Sequence, residues 1–433
     1  MTGHRLELRR IAPSYVEGER KRAADWKSWT RTLPDAAREP ARYIDKDGEE
    51  RWGLADHCLP VEHAALSLLP EVREPALALF AELGIPWHAG VNGGPSNHLL
   101  SSQVQCVNAL GQMVTDPDLL MRAFGDELGV IEVLPIEPGR YLTFEYIGPT
   151  DFFGEVPDGE RIRGAHCTSI DAAFLHRTSD GLVELVLVEW KYTEDYRRPR
   201  TPDPAKDETR WQRYGGALTA PDGPVRSDVL PFSDLLDEPF YQLVRQQLLA
   251  HELEKANSHG ADRVRVVHVL PKRNLAYRQS LRPAHRVLGA SVSEVWQKLL
   301  RRPDRFVPLD SALFDDPEIT SDDYVSRYQD DHIADLDDLM RLCKGDVEDH
   351  LYCHADYDGD VMIADGSDAD VYGEGVMLLV AGWFVVIEYP FTLSELYKDA
   401  LEHEREVWAR IEAEDAEQAE EEVAAPDEGR PGT

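Results

Sequence analysis

The chain has 433 residues, enough for a large core and more than one domain, with ordinary apolar and aromatic content and a formal net charge of −35. That excess of acid repels polyanions and membrane surfaces globally, so a surface that meets nucleic acid has to be local. The five cysteines (Cys58, Cys106, Cys167, Cys343, Cys353) are scattered and form no Cys-x-x-Cys pair, which suits a reducing, cytoplasmic setting. Met1 to Tyr15 lacks the apolar stretch of a signal peptide, and no run is long and apolar enough to span a bilayer.

Residues 1 to about 60 are charged, rich in tryptophan and arginine, and weakly periodic. Arg73 to Leu83 has the spacing of a short amphipathic helix ended by Gly84-Ile85-Pro86. The loop His88 to Asn97 is glycine-rich but lacks phosphate-loop spacing and a following Lys-Ser/Thr, which excludes a nucleotide cradle of that type. Ser101 to Met113 predicts a helix. Cys106, Ala109, Leu110 and Met113 make its apolar stripe, with the amides Gln105, Asn108 and Gln112 beside it as a half-buried polar face. Pro117 to Leu128 continues the helical layer. Val130 to Ile136 and Tyr141 to Ile147 read as strands, the second with Glu145 inside it.

Residues 168 to 193 read as a β-hairpin. Its arms are Ser169 to His176 and Val183 to Tyr192, and Thr178, Ser179, Asp180 and Gly181 supply turn chemistry. Alternation along the second arm puts Glu189 and Lys191 on one face with Leu185 and Leu187. A three-residue loop centred on Asp180 sets Asp171 opposite Glu189, with Cβ atoms about 5 Å apart. A two-residue loop shifts the pairing by one. Two carboxylates so close repel and are costly to desolvate, and a divalent cation between them removes both penalties.

Glu194 to Pro224 reads as a polar loop, rich in arginine and proline. Pro239 to Asn257 predicts a helix with Tyr241, Val244 and Leu248 buried and Gln242, Arg245 and Gln246 on a neighbouring face. Val264 to Leu270 is a buried strand. Lys272 to Arg305 inverts the charge balance and includes Arg301 and Arg302; it is either a solvated helical face or a nucleic-acid contact. Residues 307 to 345 are acidic, helix or loop. Val376 to Ala381 and Trp383 to Tyr389 are strand-like. Asp356-x-Asp358-x-Asp360 opens like a calcium loop, but Val361 and Ser367 replace the glycine and glutamate it needs. Leu393 to Ala425 predicts a surface helix, and Pro426 to Thr433 a disordered tail.

Asp171, then Glu189-Trp190-Lys191 at a strand end, then a helix bearing Gln242, Arg245 and Gln246, resembles the PD-(D/E)XK nuclease superfamily. More narrowly, Ser101-Ser102-Gln103, Ser169-Ile170-Asp171-Ala172 and Glu189-Trp190-Lys191-Tyr192 resemble bacterial putative restriction endonucleases. The likeness covers about residues 98 to 272, and Ile170 departs from the proline of the superfamily name.

It implies an α/β fold. The restriction-endonuclease-like core is a mixed central sheet flanked by helices in the order α-β-β-β-α-β, with N-terminal and C-terminal extensions. The expected divisions are 1–97, 98–272, 273–345, 346–390 and 391–433. Function is expected to be metal-dependent DNA hydrolysis. Asp171, Glu189 and the Trp190 carbonyl would hold Mg²⁺ or Mn²⁺, and Lys191 and Gln246 would assist catalysis. Of Glu127, Glu132 and Glu145, the last is the preferred additional acid. Gln103, Gln242, Arg245, Arg301 and Arg302 are expected at the substrate. The competing expectation is a non-cleaving nucleic-acid-binding or interaction module on the same fold. RNA stays open as a substrate, and a homodimer would supply the two sites that a double-strand cut needs.

Overall fold

The computed structural model describes residues 14–44, 48–156 and 159–329, with short strands at 332–333, 362–364, 375–380, 383–388 and 391–392. Contacts divide the chain into two units, Met1–Gln329 and Asp330–Thr433. The first opens with helix α1 (Tyr15–Trp29), the single turn α2 (Asp35–Arg38) and a hairpin of β1 (Ala41–Ile44) and β2 (Glu50–Ala55). Weak periodicity hid α1 because its buried face is largely charged: Glu19, Arg22 and Lys27 go inside with Ala23 and Trp26. The Lys27 ammonium is satisfied by the carbonyls of Glu39 and Cys58, at 2.9 and 2.8 Å.

Helix α3 (Pro70–Leu83) ends on Gly84 in the left-handed conformation, as its sequence predicts. In α4 (Ser102–Leu110) the Ser101 hydroxyl accepts the Val104 N–H, and the chain tightens into a 3₁₀ turn, Gly111–Val114. A Cβ on Gly111 would meet Val72 at 2.9 Å, so this glycine lets α3 and the 3₁₀ turn approach. Helix α5 (Pro117–Leu128) runs from an Asp116 cap to a left-handed Gly129.

The remaining elements are β3 (Val130–Leu134), β4 (Leu142–Tyr146), β5 (Ile170–Thr178), β6 (Val183–Trp190), α6 (Pro204–Thr219), α7 (Phe240–Lys255), β7 (Arg263–Val269), α8 (Leu275–Arg278), α9 (Pro283–Arg286), α10 (Val292–Leu299), β8 (Phe306–Leu309) and α11 (Asp322–Tyr328). The sheet has the order β3-β5-β6-β7-β8, with β4 also on β5. β3 and β4 share one edge of β5: β3 takes Leu175 to Thr178, and β4 takes Ile170 to Phe174. These pairings and β5–β6 are antiparallel, whereas β6–β7 and β7–β8 are parallel. The fold is therefore α/β with a mixed central sheet. Helix α6 occupies the stretch expected to be a loop, and β8 extends the sheet beyond the strands expected.

Alternation divides the sheet between two cores. Phe174, Val186, Val188, Trp190 and Val267 face α3, α4 and α5. Leu175, Leu185, Leu187, Val264 and Val266 face α7 and α10. Glu189, in step with Leu185 and Leu187, therefore comes up on the α7 side. In the second unit, Met362–Ala364, Gly375–Val380 and Trp383–Glu388 form an antiparallel sheet, close to the two strands expected there. The Asp356 motif, the helix expected at 393–425 and the 426–433 tail lie outside the described residues. No helix among the described residues is long and apolar enough to cross a membrane.

Candidate active site

The β5–β6 register runs from Arg177↔Val183 to Ala172↔Val188, so one further step sets Asp171 across from Glu189. This is the register of a loop centred on Asp180, with Gly181 at φ +84°. Asp171 turns one carboxylate oxygen to the next backbone group, and the Trp190 N–H donates to its Oδ2 at 2.7 Å. Glu189 is 1 % exposed. Its Oε1 accepts from Lys191 Nζ at 2.5 Å and from Gln242 Nε2 at 2.7 Å. Its Oε2 is buried without a hydrogen-bond partner among the described residues.

The third carboxylate comes from β4. Phe144↔Ala172 and Tyr146↔Ile170 bracket Glu145 and place it beside Asp171. Glu145 has φ +48°, a left-handed conformation that is strained for a residue with a side chain. Both its oxygens are held by neutral donors: Gln103 Nε2 at 2.8 Å and Ser169 Oγ at 2.8 Å. Gln103 is itself fixed, because the His88 N–H donates to its Oε1 at 2.7 Å. Gly164, at φ +71°, runs so near the carboxylate that a Cβ there would meet Glu145 Oε2 at 3.2 Å.

Three carboxylates and one lysine set the electrostatics. Burial and the neighbouring Asp171 push Glu145 up to about 7 and Glu189 up to about 8. Burial also raises Asp171, against the pull of Lys191 and the Trp190 N–H. Burial works against charge on Lys191, but Glu189 leads the acids that carry it well above the usual lysine value, so the ammonium keeps its proton. Among the described residues no three His, Cys, Asp or Glu side chains converge as a ready-made cation cage.

The structure thus brings together Asp171, Glu189, Trp190, Lys191, Glu145, Gln103 and Gln242. Gln242, not Gln246, reaches Glu189. Gln246 lies one turn further along α7, 1 % exposed, with neither amide atom partnered among the described residues. Arg245 is half-buried near the Tyr241 ring, 5.6 Å from its centroid, with its Nε buried and unpartnered among the described residues. Glu132 instead pairs with Arg177 on the exposed side of β3. Arg301 and Arg302 are not at this corner. Arg302 pairs with Glu254 in the last turn of α7, and Glu254 in turn accepts the Val264 N–H at the start of β7. Glu189 and Trp190 lie against the other end of β7, at His268 and Val269.

Sequence reasoning missed the support around Glu145. Ser169 was visible as a residue type, but His88 acts through its backbone N–H, and the left-handed conformation at Glu145 carries no glycine or asparagine to announce it.

A model of the family described as Restriction Endonuclease associating with ARP matches residues 20–328. No curated protein and no solved structure matches the chain.

Proposed function

The chain belongs to the family of restriction endonucleases associating with ARP, and from that premise we propose that it hydrolyses DNA phosphodiester bonds with a divalent cation at the Asp171–Glu189–Lys191 corner. The observation that carries this reading is Glu189, whose one oxygen is locked by Lys191 and Gln242 while the other is buried and unpartnered beside Asp171. An orphaned carboxylate oxygen next to a second carboxylate fits a hard cation. Mg²⁺ is commonly held by one or two carboxylates and completes its shell with water and substrate phosphate, so a full protein cage is not required. Asp171, Glu189 and the Trp190 carbonyl would hold it, with Glu145 as a further acid. When bound, Mg²⁺ or Mn²⁺ supplies a Lewis acid for a phosphate oxygen.

The chain's own groups do the rest. Lys191 keeps its proton and presents a fixed positive charge where negative charge grows as water attacks phosphorus and a P–O ester bond breaks. Gln242 holds Glu189 so that Lys191 and the free Oε2 keep their relative places. Gln103 and Ser169 do the same for Glu145. Arg245, on the same helix as Gln242 and in no ion pair among the described residues, is suited to contact a substrate phosphate. The family description adds an association with ARP, which we carry over as an expected partnership.

The test is incubation of the full chain with plasmid DNA, linear DNA and RNA, with Mg²⁺, Mn²⁺ or EDTA. We expect metal-dependent cleavage of DNA, and a loss of roughly 10²-fold or more in both Asp171→Ala and Lys191→Ala. Equal cleavage by wild type and both variants would overturn the assignment.

A further inference from the structure

Near the end of α7, away from the carboxylates, lie two adjoining cavities, a wide open one of about 840 Å³ and a more enclosed one of about 410 Å³, with Leu300 and Arg301 lining both. Both volumes fall within the range of about 300–1,000 Å³ common to small-molecule sites. Their charge runs against that of the chain. Arg226, Lys298 and Arg301 line the larger and Lys255, Arg301, Arg302 and Arg305 the smaller, against three acids, Asp222, Glu254 and Glu294.

Most of these cations already have partners. Arg302 and Arg305 hold Glu254, Lys255 holds Asp222, and the Lys298 ammonium donates to the Leu288 carbonyl. Arg301 differs. Its Nε donates to the Gly223 carbonyl at 3.0 Å and its backbone N–H to the Pro224 carbonyl, which fix the stem. Its terminal nitrogens have no partner among the described residues, and Arg301 lines both cavities. A guanidinium anchored at one nitrogen and open at two suits bidentate binding of a phosphate.

The second observation is Gln247, which lines the smaller cavity. It is 3 % exposed, and its side-chain Oε1 is buried with no hydrogen-bond partner among the described residues. A buried amide left unpaired is costly, and an in-plane flip brings either its acceptor or its donor to the cavity. A nucleobase edge offers both kinds of partner.

We infer that this pair of cavities is a binding site for a small nucleotide, its phosphate on Arg301 and its base edge on Gln247. The inference does not depend on the reading of the carboxylate corner. The site lies at the last turns of α7, whose first turn places Gln242 on Glu189.

The test is calorimetric titration of the full chain, in EDTA, with AMP, GMP, CMP, UMP and inorganic phosphate. At least one nucleotide should bind saturably and more tightly than phosphate. Arg301→Ala should weaken it by about tenfold or more. Gln247→Leu should weaken the nucleotide but not phosphate, while leaving thermal stability equal or higher, since it removes an unpaired buried amide. Lys191→Ala should bind as wild type does. No saturable binding, or equal binding in wild type and Arg301→Ala, overturns the proposal. So does a duplex oligonucleotide that loses affinity in Arg301→Ala while every mononucleotide fails to bind, because the surface is then a nucleic-acid contact.

Discussion

Glu189 and Glu145 are acids whose protons stay on longer in the folded chain than in the unfolded one. Their values rise from the usual 4.5 to about 8 and about 7, mainly through burial and then through Asp171. The folded state therefore binds more protons than the unfolded state between those limits, and stability falls as pH rises through that window. In EDTA, the unfolding free energy from urea titrations between pH 5 and pH 8 should decline, by on the order of 2 kcal/mol or more in total. Glu145→Gln should flatten the lower part of the slope. A flat wild-type profile would show that the carboxylates do not share a desolvated space. If Mg²⁺ binds as proposed, it should raise the urea midpoint more at pH 8 than at pH 5, because the cation would compete with the proton for the same oxygens. Residue identities at this corner were readable because paired acids and a lysine are conspicuous in an otherwise apolar hairpin. Its place on a strand favours Glu145 over Glu127 and Glu132, but its position beside Asp171 follows from the β4–β5 register and a backbone conformation that no residue type signals.

The same hairpin was legible as an element, with its register open between a two- and a three-residue loop; the observed turn centred on Asp180 fixes every pair along its arms. Helix α6 was written in the sequence as well, in Asp203 followed by Pro204, a cap and a first-turn proline. Its polar surface and flanking prolines masked it. The edge strand β8 is four residues long with a proline inside, and only pairing with β7 makes it a strand. Least legible was the charge buried at the far end of β6. Glu184 is fully buried, with His176 at 3.3 Å and both Arg263 and Arg265 paired to it. In sequence it looks like one more polar residue in an alternating strand. Its carboxyl lies below the usual value: burial opposes this, and the hydrogen bond from His176 and the charge of Arg265 prevail. Its contribution is thus present above the ordinary carboxylate range and is lost as pH falls through the lowered value. Glu184→Gln should cost about 3 kcal/mol or more, because it leaves two arginines partly buried and uncompensated. Five residues of strand, about 16 Å, separate it from Glu189, so cleavage per folded molecule should be unchanged. A loss of activity larger than the loss of folded protein would show that the two ends of β6 are coupled.

For the whole molecule, charge and family likeness divide at nearly the same place. The family match ends at residue 328 and the first unit at Gln329. All the core residues of both faces lie between Ala23 and Tyr328 among the described residues. Residues 330–433 carry 30 acids against 6 lysines and arginines, which is −24 of the chain's −35. The acidity that opposes polyanion binding is therefore concentrated outside the unit that holds the carboxylate–lysine corner. A chain ending at Gln329 should unfold in one cooperative calorimetric transition, since both cores and every strand of the central sheet are retained. Relieved of most of the negative charge, it should bind DNA more tightly than the full chain at low ionic strength, measured in EDTA so that cleavage does not intervene. The difference should close as salt screens the long-range repulsion, largely by about 0.15 M, where the Debye length is about 8 Å. Equal affinity of the two chains at low salt, with the shorter one cooperatively folded, would mean that the acidic region does not set the field at the DNA surface. The repulsion would then have to come from the acids of the first unit itself.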